Sequence, residues 1–188
     1  MDQEMKKLIF YIILLGTYLF SCTPQDKQKQ KGVDMYKSDK TVYLKIVRDL
    51  SAEPEKIFDI FSDPKDMKIW WTETTTFDID FREGGNWAII RTEGETVYTA
   101  KGKYLQVKRP HQLVYTYSMP QFSPNTDTIS IDIKSDTKGS TVSFMQKGED
   151  IAGELGKLSE GETSQSEQGW NQMFDLIETH LEKDSNSN

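Results

Sequence analysis

The sequence predicts an α+β domain, a curved antiparallel sheet of about seven strands wrapped around one long C-terminal helix, with two short helices after the first strand. Three observations predict it. From residue 41 onward, short runs alternate polar and apolar residues, the period of half-buried strands. Near the end, Trp170, Met173, Phe174, Ile177 and Leu181 fall at i, i+3, i+4, i+7 and i+11, one stripe of an amphipathic helix. Between the first strand and the rest, Pro54 and Pro64 each open a short helical pattern, at a position where a missing N–H costs nothing.

The elements follow in order. Residues 42–50 form the first strand. Ser51 is the expected cap of a helix whose apolar face is Ile57, Phe58 and Phe61. Asp63-Pro64 stops that helix and starts a second one, ending at Trp70-Trp71. Phe77, Ile79 and Phe81 alternate with Asp78 and Asp80, and residues 83–86 turn the chain with two glycines. Trp87, Ile89 and Arg91 lead to a turn at residues 93–95, and a long strand covers residues 97–108. Pro110-His111 turns it into a strand at 113–118, and a loop at 120–125 precedes Ile129, Ile131 and Ile133. A hairpin at 136–140 leads into the last strand at 142–147. The segment 148–161 has four glycines and mixed charge and reads as an irregular loop with room for a helical turn. Ser164 with Glu167 fits a capping box for the terminal helix, and residues 184–188 should fray.

The amino-terminal region has a different character. Lys6 and Lys7 precede an apolar run over residues 8–20, broken only by Gly16 and Thr17. As a helix this run reaches roughly 20 Å, short of the ~30 Å hydrocarbon core, and its length matches an export signal. It ends in Leu19-Phe20-Ser21-Cys22, which resembles the bacterial lipobox. That resemblance implies cleavage before Cys22 and acylation of the only cysteine in the chain. Two or three acyl chains anchor stably, where one is marginal. The expected organisation is therefore a signal peptide at 1–21, lipidated Cys22 with a polar linker to residue 40, a domain at 41–183 and a frayed tail at 184–188. The expected location is the bacterial cell envelope, outside the cytoplasm and held to a membrane.

Charge supports this division and excludes one class of function. The chain of 188 residues carries a formal charge of −7. Residues 23–40 hold five lysines against three aspartates, a net +2, which leaves −9 on residues 41–188. A mildly basic tether of roughly 20–25 Å thus joins an acidic domain. An acidic domain does not displace phosphate counterions, so nucleic-acid binding is not expected.

The landmark residues carry a resemblance. Residues 52–58, Asp63-Pro64, Ile69-Trp70-Trp71, Phe81 through Trp87, Gly102-Lys103-Tyr104, residues 110–117, residues 139–142 and Gly169-Trp170 recur in the order and spacing of one family. Over about residues 42–183 the chain resembles the activator of heat-shock-protein-ninety ATPase homologue family, within the SRPBCC superfamily that also holds the START lipid-transfer domains. The resemblance implies a helix-grip (START-like) fold with a cavity between sheet and terminal helix. It implies no single activity. A lipid-anchored exported protein would not meet a cytosolic chaperone, so that partner is not expected here.

Residues able to do chemistry are few. His111 and His180 match no metal-ligand spacing, and with Cys22 assigned to lipid no thiol nucleophile remains. Asp78 with Asp80, and Glu93 with Glu95, read as solvent-facing carboxylates at strand spacing. No catalytic residue, metal site or cofactor is expected. The informative set is aromatic: Trp70, Trp71, Phe77, Trp87, Tyr98, Tyr104, Tyr115, Tyr117, Phe144 and Trp170. Rings at alternate strand positions serve core packing, and they equally serve a cavity in which tyrosine hydroxyls, Arg48 or Arg91 orient a ligand. The leading expectation is a tethered module that binds an apolar or amphipathic small molecule or lipid. The alternatives are a cofactor-free, cyclase-like enzyme using the same cavity, and a protein-interaction or stress module without ligand.

Overall fold

The computed structural model describes residues 42–71 and 75–185. Cys22, the apolar run and the linker lie outside the described residues. Among the described residues no helix is long and apolar enough to cross a membrane.

Seven strands form one antiparallel sheet in the order β1-β7-β6-β5-β4-β3-β2. They are β1 (Tyr43–Leu50), β2 (Thr75–Ile79), β3 (Asn86–Glu93), β4 (Thr96–Lys108), β5 (Gln112–Tyr117), β6 (Asp127–Asp136) and β7 (Gly139–Lys147). The chain lays down β2 to β7 as successive hairpins, and β1 closes against the last of them, with Ile46 opposite Phe144. Helices α1 (Pro54–Ser62) and α2 (Pro64–Met67) follow β1, α3 (Glu149–Leu155) follows β7, and α4 (Gln165–Ser185) ends the fold. This is the α+β helix-grip architecture the sequence predicts.

The sheet curves because β4 is irregular where the curve is needed. Tyr104 pairs with Tyr115 and Gln106 with Val114, so Leu105 is an extra, unpaired residue that bends the strand. Leu105 is 47% exposed, as an outward bulge residue should be. Three residues earlier, the backbone of β5 comes so close to Gly102 that a Cβ there would lie 1.8 Å from the Thr116 carbonyl oxygen.

The concave face carries the core. Leu44, Ile46, Ile129, Ile131, Ile133, Val142 and Phe144 are essentially fully buried at alternate strand positions. The α4 stripe fits onto them: Met173, Phe174, Ile177 and Leu181 are buried, and Trp170 is half-buried at the stripe's first turn. Arg48 of β1 holds this helix, donating to Asn171 Oδ1 at 2.5 Å while its guanidinium lies 5.8 Å from the Phe174 ring. The described residues supply sheet, covering helix and core together, which is what a domain needs to fold by itself.

Four local expectations are corrected. Glu53, not Ser51, is the N-cap residue of α1, and no side chain caps it. Pro54 already removes one of the unpaired N–H groups, so that start needs less capping. Helix α2 ends at Met67, and Trp70-Trp71 lie in the turn beyond. The segment 148–161 contains a real helix, α3, because Asp127 from β6 receives the backbone N–H groups of Asp150 and Ile151. That cap comes from a residue distant in sequence, so no local signal announces it. Glu93 is partly buried and paired with Arg91 rather than facing solvent alone. The Ser164 cap is present, with Ser164 Oγ accepting from Glu167 N–H at 3.0 Å.

Candidate functional site

The inward rings of β3, β4 and β5 meet those of α2's turn and α4 at one end of the grip. Strand alternation places Trp87 and Ile89 inward on β3, Tyr104 on β4, and Tyr115 and Tyr117 on β5. Phe61 of α1, Met67 of α2, Trp70 and Trp71 of the following turn, and Trp170 of α4 close the space. These ten residues line a chamber of about 20 Å³. That is room for about one water, where a bound small molecule needs several hundred cubic ångströms.

The rings hold one another in place. Trp87 meets Tyr115 edge-on at 5.5 Å and stacks on Tyr117 at 6.2 Å, and Tyr117 meets Trp170 at 5.8 Å. On the opposite wall Phe61 packs on Trp70 at 6.3 Å, and Trp70 on Trp71 at 5.2 Å. Such pairs contribute roughly 0.5–1.5 kcal/mol each beyond simple burial.

Polar groups at the chamber are few. Trp70 donates its indole N–H to the Ile60 carbonyl at 2.9 Å, Trp170 donates to Gln146 Oε1 at 2.7 Å, and Tyr117 donates to Met119 Sδ at 3.0 Å. The indole nitrogens of Trp71 and Trp87 are buried with no acceptor among the described residues. Burial pushes the phenols of Tyr104 and Tyr115 far above their ordinary range, and the neighbouring Tyr104 adds to the shift at Tyr115. Both therefore stay neutral at physiological pH. Among the described residues, no carboxylate, imidazole or cationic side chain lines the chamber.

Beside the chamber lies an open groove of about 710 Å³ between the loop before β6, helix α3 and the first turn of α4. Its apolar floor is Tyr117, Met119, Phe122, Leu158 and Trp170. Tyr117 and Trp170 line the groove and the chamber alike. The groove's inner wall is a hydrogen-bond chain. Asp127, 1% exposed, caps α3 and accepts from Gln146 Nε2 at 2.8 Å, and Gln146 in turn holds Trp170. Across the groove Asp150 accepts from Ser123 and Asn125, and Glu154 accepts from Ser166 at the start of α4.

Seven of the aromatic candidates thus converge: Trp70, Trp71, Trp87, Tyr104, Tyr115, Tyr117 and Trp170. Five proposed cavity residues do not line the chamber. Phe144 is fully buried against Trp170 and Phe174 and serves as core. Phe77 is packed against the main core from edge strand β2. Tyr98 packs on Phe122 at 6.2 Å in a separate small cluster, with Trp71 and Met119 against it. Arg48 is engaged at the β1–α4 contact, and Arg91 is paired with Glu93. Their side chains face inward as alternation requires, but toward other parts of the interior. Phe61, Met67 and Ile89 complete the chamber and carry no sequence signal beyond apolar periodicity. The disfavoured histidines are occupied elsewhere: His111 Nδ1 lies 3.3 Å from the Ile133 carbonyl oxygen, and His180 lies 3.3 Å from Asp184. Among the described residues no acidic, histidine or cysteine cluster has the geometry of a metal site.

Comparison with known proteins agrees with this architecture. The chain is similar in fold to a protein of Arthrobacter aurescens solved by NMR, with a TM-score of 0.64 and 18% identity over 82% of this chain and 93% of that one. A solution structure from Cytophaga hutchinsonii superposes with a TM-score of 0.62 and 23% identity, covering 77% of this chain and 96% of the other. CalU16 from Micromonospora echinospora superposes with a TM-score of 0.55 and 16% identity, covering 80% and 82%. At these identities the likeness concerns the fold alone. No curated protein matches the sequence. The sequence profile of the family described as Activator of Hsp90 ATPase homolog 1-like protein matches residues 51–182, most of the chain, and the chain belongs to that family.

Proposed function

We propose that this chain is an envelope-tethered binding module whose domain takes an apolar or amphipathic small molecule, or a lipid, under the terminal helix. The observation that carries the reading is the continuity of two spaces. A groove of ligand size shares Tyr117 and Trp170 with the ring-lined chamber. A molecule lying in the groove reaches the chamber by displacing those rings and Trp71, which is half-buried at the chamber's edge. The chamber's lining of neutral donors and ring faces offers orientation rather than an acid–base pair, and the groove carboxylates Asp127, Asp150 and Glu154 are engaged in hydrogen bonds, which supports binding over the cyclase-like alternative. Among the described residues the large exposed apolar side chains, Val97, Leu105 and Leu176, stand on a hairpin, a bulge and α4, at separate places in the fold.

Tethering rests on Cys22 and the apolar run before it. It places the domain within a linker's reach of a lipid surface, where apolar molecules are concentrated, and away from cytosolic chaperones. The test is native mass spectrometry and solvent extraction of a protein beginning at Lys40, together with a Trp170→Ala variant. A bound or exchangeable apolar molecule, lost in the variant, is the expected result. Absence of any bound or competing molecule across lipid and metabolite panels would overturn the reading.

A further inference from the structure

Two hydrogen-bond donors among the chamber's lining residues have no acceptor. Trp87 is 5% exposed, and its Nε1 has no acceptor among the described residues; the same holds for the buried Nε1 of Trp71. Buried donors in proteins are nearly always paired, so two of them at one cavity mark places where a partner from outside belongs. Turning the Trp87 indole toward another acceptor would break its contacts with both Tyr115 and Tyr117. The phenols of Tyr104 and Tyr115, held neutral by burial, add hydroxyls that donate and accept.

The missing partner has a definable chemistry. A pure hydrocarbon would fill the space and leave both indole N–H groups unsatisfied. A carboxylate would satisfy them but bring a charge into a lining that holds no cation among the described residues. An ammonium has no acceptor to offer the two indole N–H groups. Resting on the reading that the chamber opens to a small molecule, we propose that its occupant is a neutral, largely apolar molecule bearing a carbonyl or ether oxygen, and that Trp87 and Trp71 select it through their indole N–H groups.

The experiment compares three probes of similar shape, benzophenone, diphenylmethane and diphenylacetate, by calorimetric titration into the protein beginning at Lys40. Benzophenone also reports its position, since photolabelling followed by peptide mass spectrometry should mark Met67 or Ile89. The expected result is that benzophenone binds roughly tenfold tighter than either companion, the size of one good hydrogen bond. In Trp87→Phe or Trp71→Phe, which keep a ring and remove the N–H, that preference should fall to about threefold or less. The wild-type ratio decides the matter even if one variant fails to fold. Equal binding of ketone and hydrocarbon, or tightest binding of the carboxylate, overturns the inference and leaves the binding module standing. No binding of any probe at its solubility limit overturns both.

Discussion

Trp170, in the second turn of the terminal helix, donates its indole N–H to Gln146 Oε1 in β7 across 2.7 Å. The same glutamine gives its Nε2 hydrogen to Asp127 Oδ2, and that carboxylate caps α3 through Asp150 N–H and Ile151 N–H. One buried amide therefore ties the helix, the sheet and the groove wall together.

Replacing Gln146 by methionine should remove both ends of this link at once. It leaves the Trp170 N–H without its acceptor and Asp127 without one donor, a loss of about 2–4 kcal/mol on the usual cost of stranded buried polar groups. Urea denaturation measures it. Trp170→Phe, which strands only the glutamine oxygen, should cost less. A Gln146→Met protein as stable as wild type would show that the link does not hold these elements.

Two glycines should respond in opposite ways to the same substitution. A Cβ on Gly102 would meet the Thr116 carbonyl oxygen at 1.8 Å and Trp87 Nε1 at 2.8 Å, and a backbone atom cannot step aside cheaply. Gly102→Ala should cost about 3 kcal/mol or more. Gly153 in α3 has nothing within 4 Å of that position, so Gly153→Ala should gain about 0.5–1 kcal/mol from helix propensity. Thermal unfolding of the pair checks both signs.

Two glutamates of α4 give the stability a pH dependence. The carboxyl of Glu167 is raised above 4.5 by burial and then by Glu154. That of Glu178 is raised by burial, with Asp175 and Glu182 adding and Arg48 opposing. A carboxyl whose pKa is higher in the folded state binds more protons there than in the unfolded chain. Its contribution is therefore favourable at low pH and is lost as pH rises from 4.5 through the raised value. The double variant Glu167→Gln, Glu178→Gln should flatten that part of the curve of urea midpoint against pH. An unchanged slope would mean that neither group is its source.

The proposed lipid attachment at Cys22 predicts its loss in Cys22→Ala. The variant is expected to remain in its longer, unprocessed form, and metabolic labelling with a fatty acid should lose its signal. Wild-type migration and continued labelling of the variant would remove Cys22 from the tether.

Much of the fold is legible in the chain because it rests on local periodicity. The strand alternation and the stripe from Trp170 to Leu181 each follow from geometry within a single element. Helix α3 is not legible, since its cap, Asp127, comes from the far end of a hairpin. Aromatic composition named rings at inward strand positions without separating where each one packs. Phe144 and Tyr115 both occupy inward strand positions, yet one is plain core and the other lines the chamber. Their difference depends on which helix turn lies opposite, and alternation within a strand does not encode that.

By itself, then, the sequence determined the class of fold, the order of its strands and of every helix but α3, the inward faces and the position of its only cysteine. Those properties depend on side-chain period and on residue types at neighbouring positions. Only the tertiary structure decided that Arg48 and Arg91 are engaged away from the chamber, that Gln146 joins three elements, and that the rings nearly fill the space they enclose. The reason is physical: the room left between a bent sheet and a helix is set by the bulge at Leu105 and by side chains meeting across 50 residues or more of chain, where no local pattern reaches.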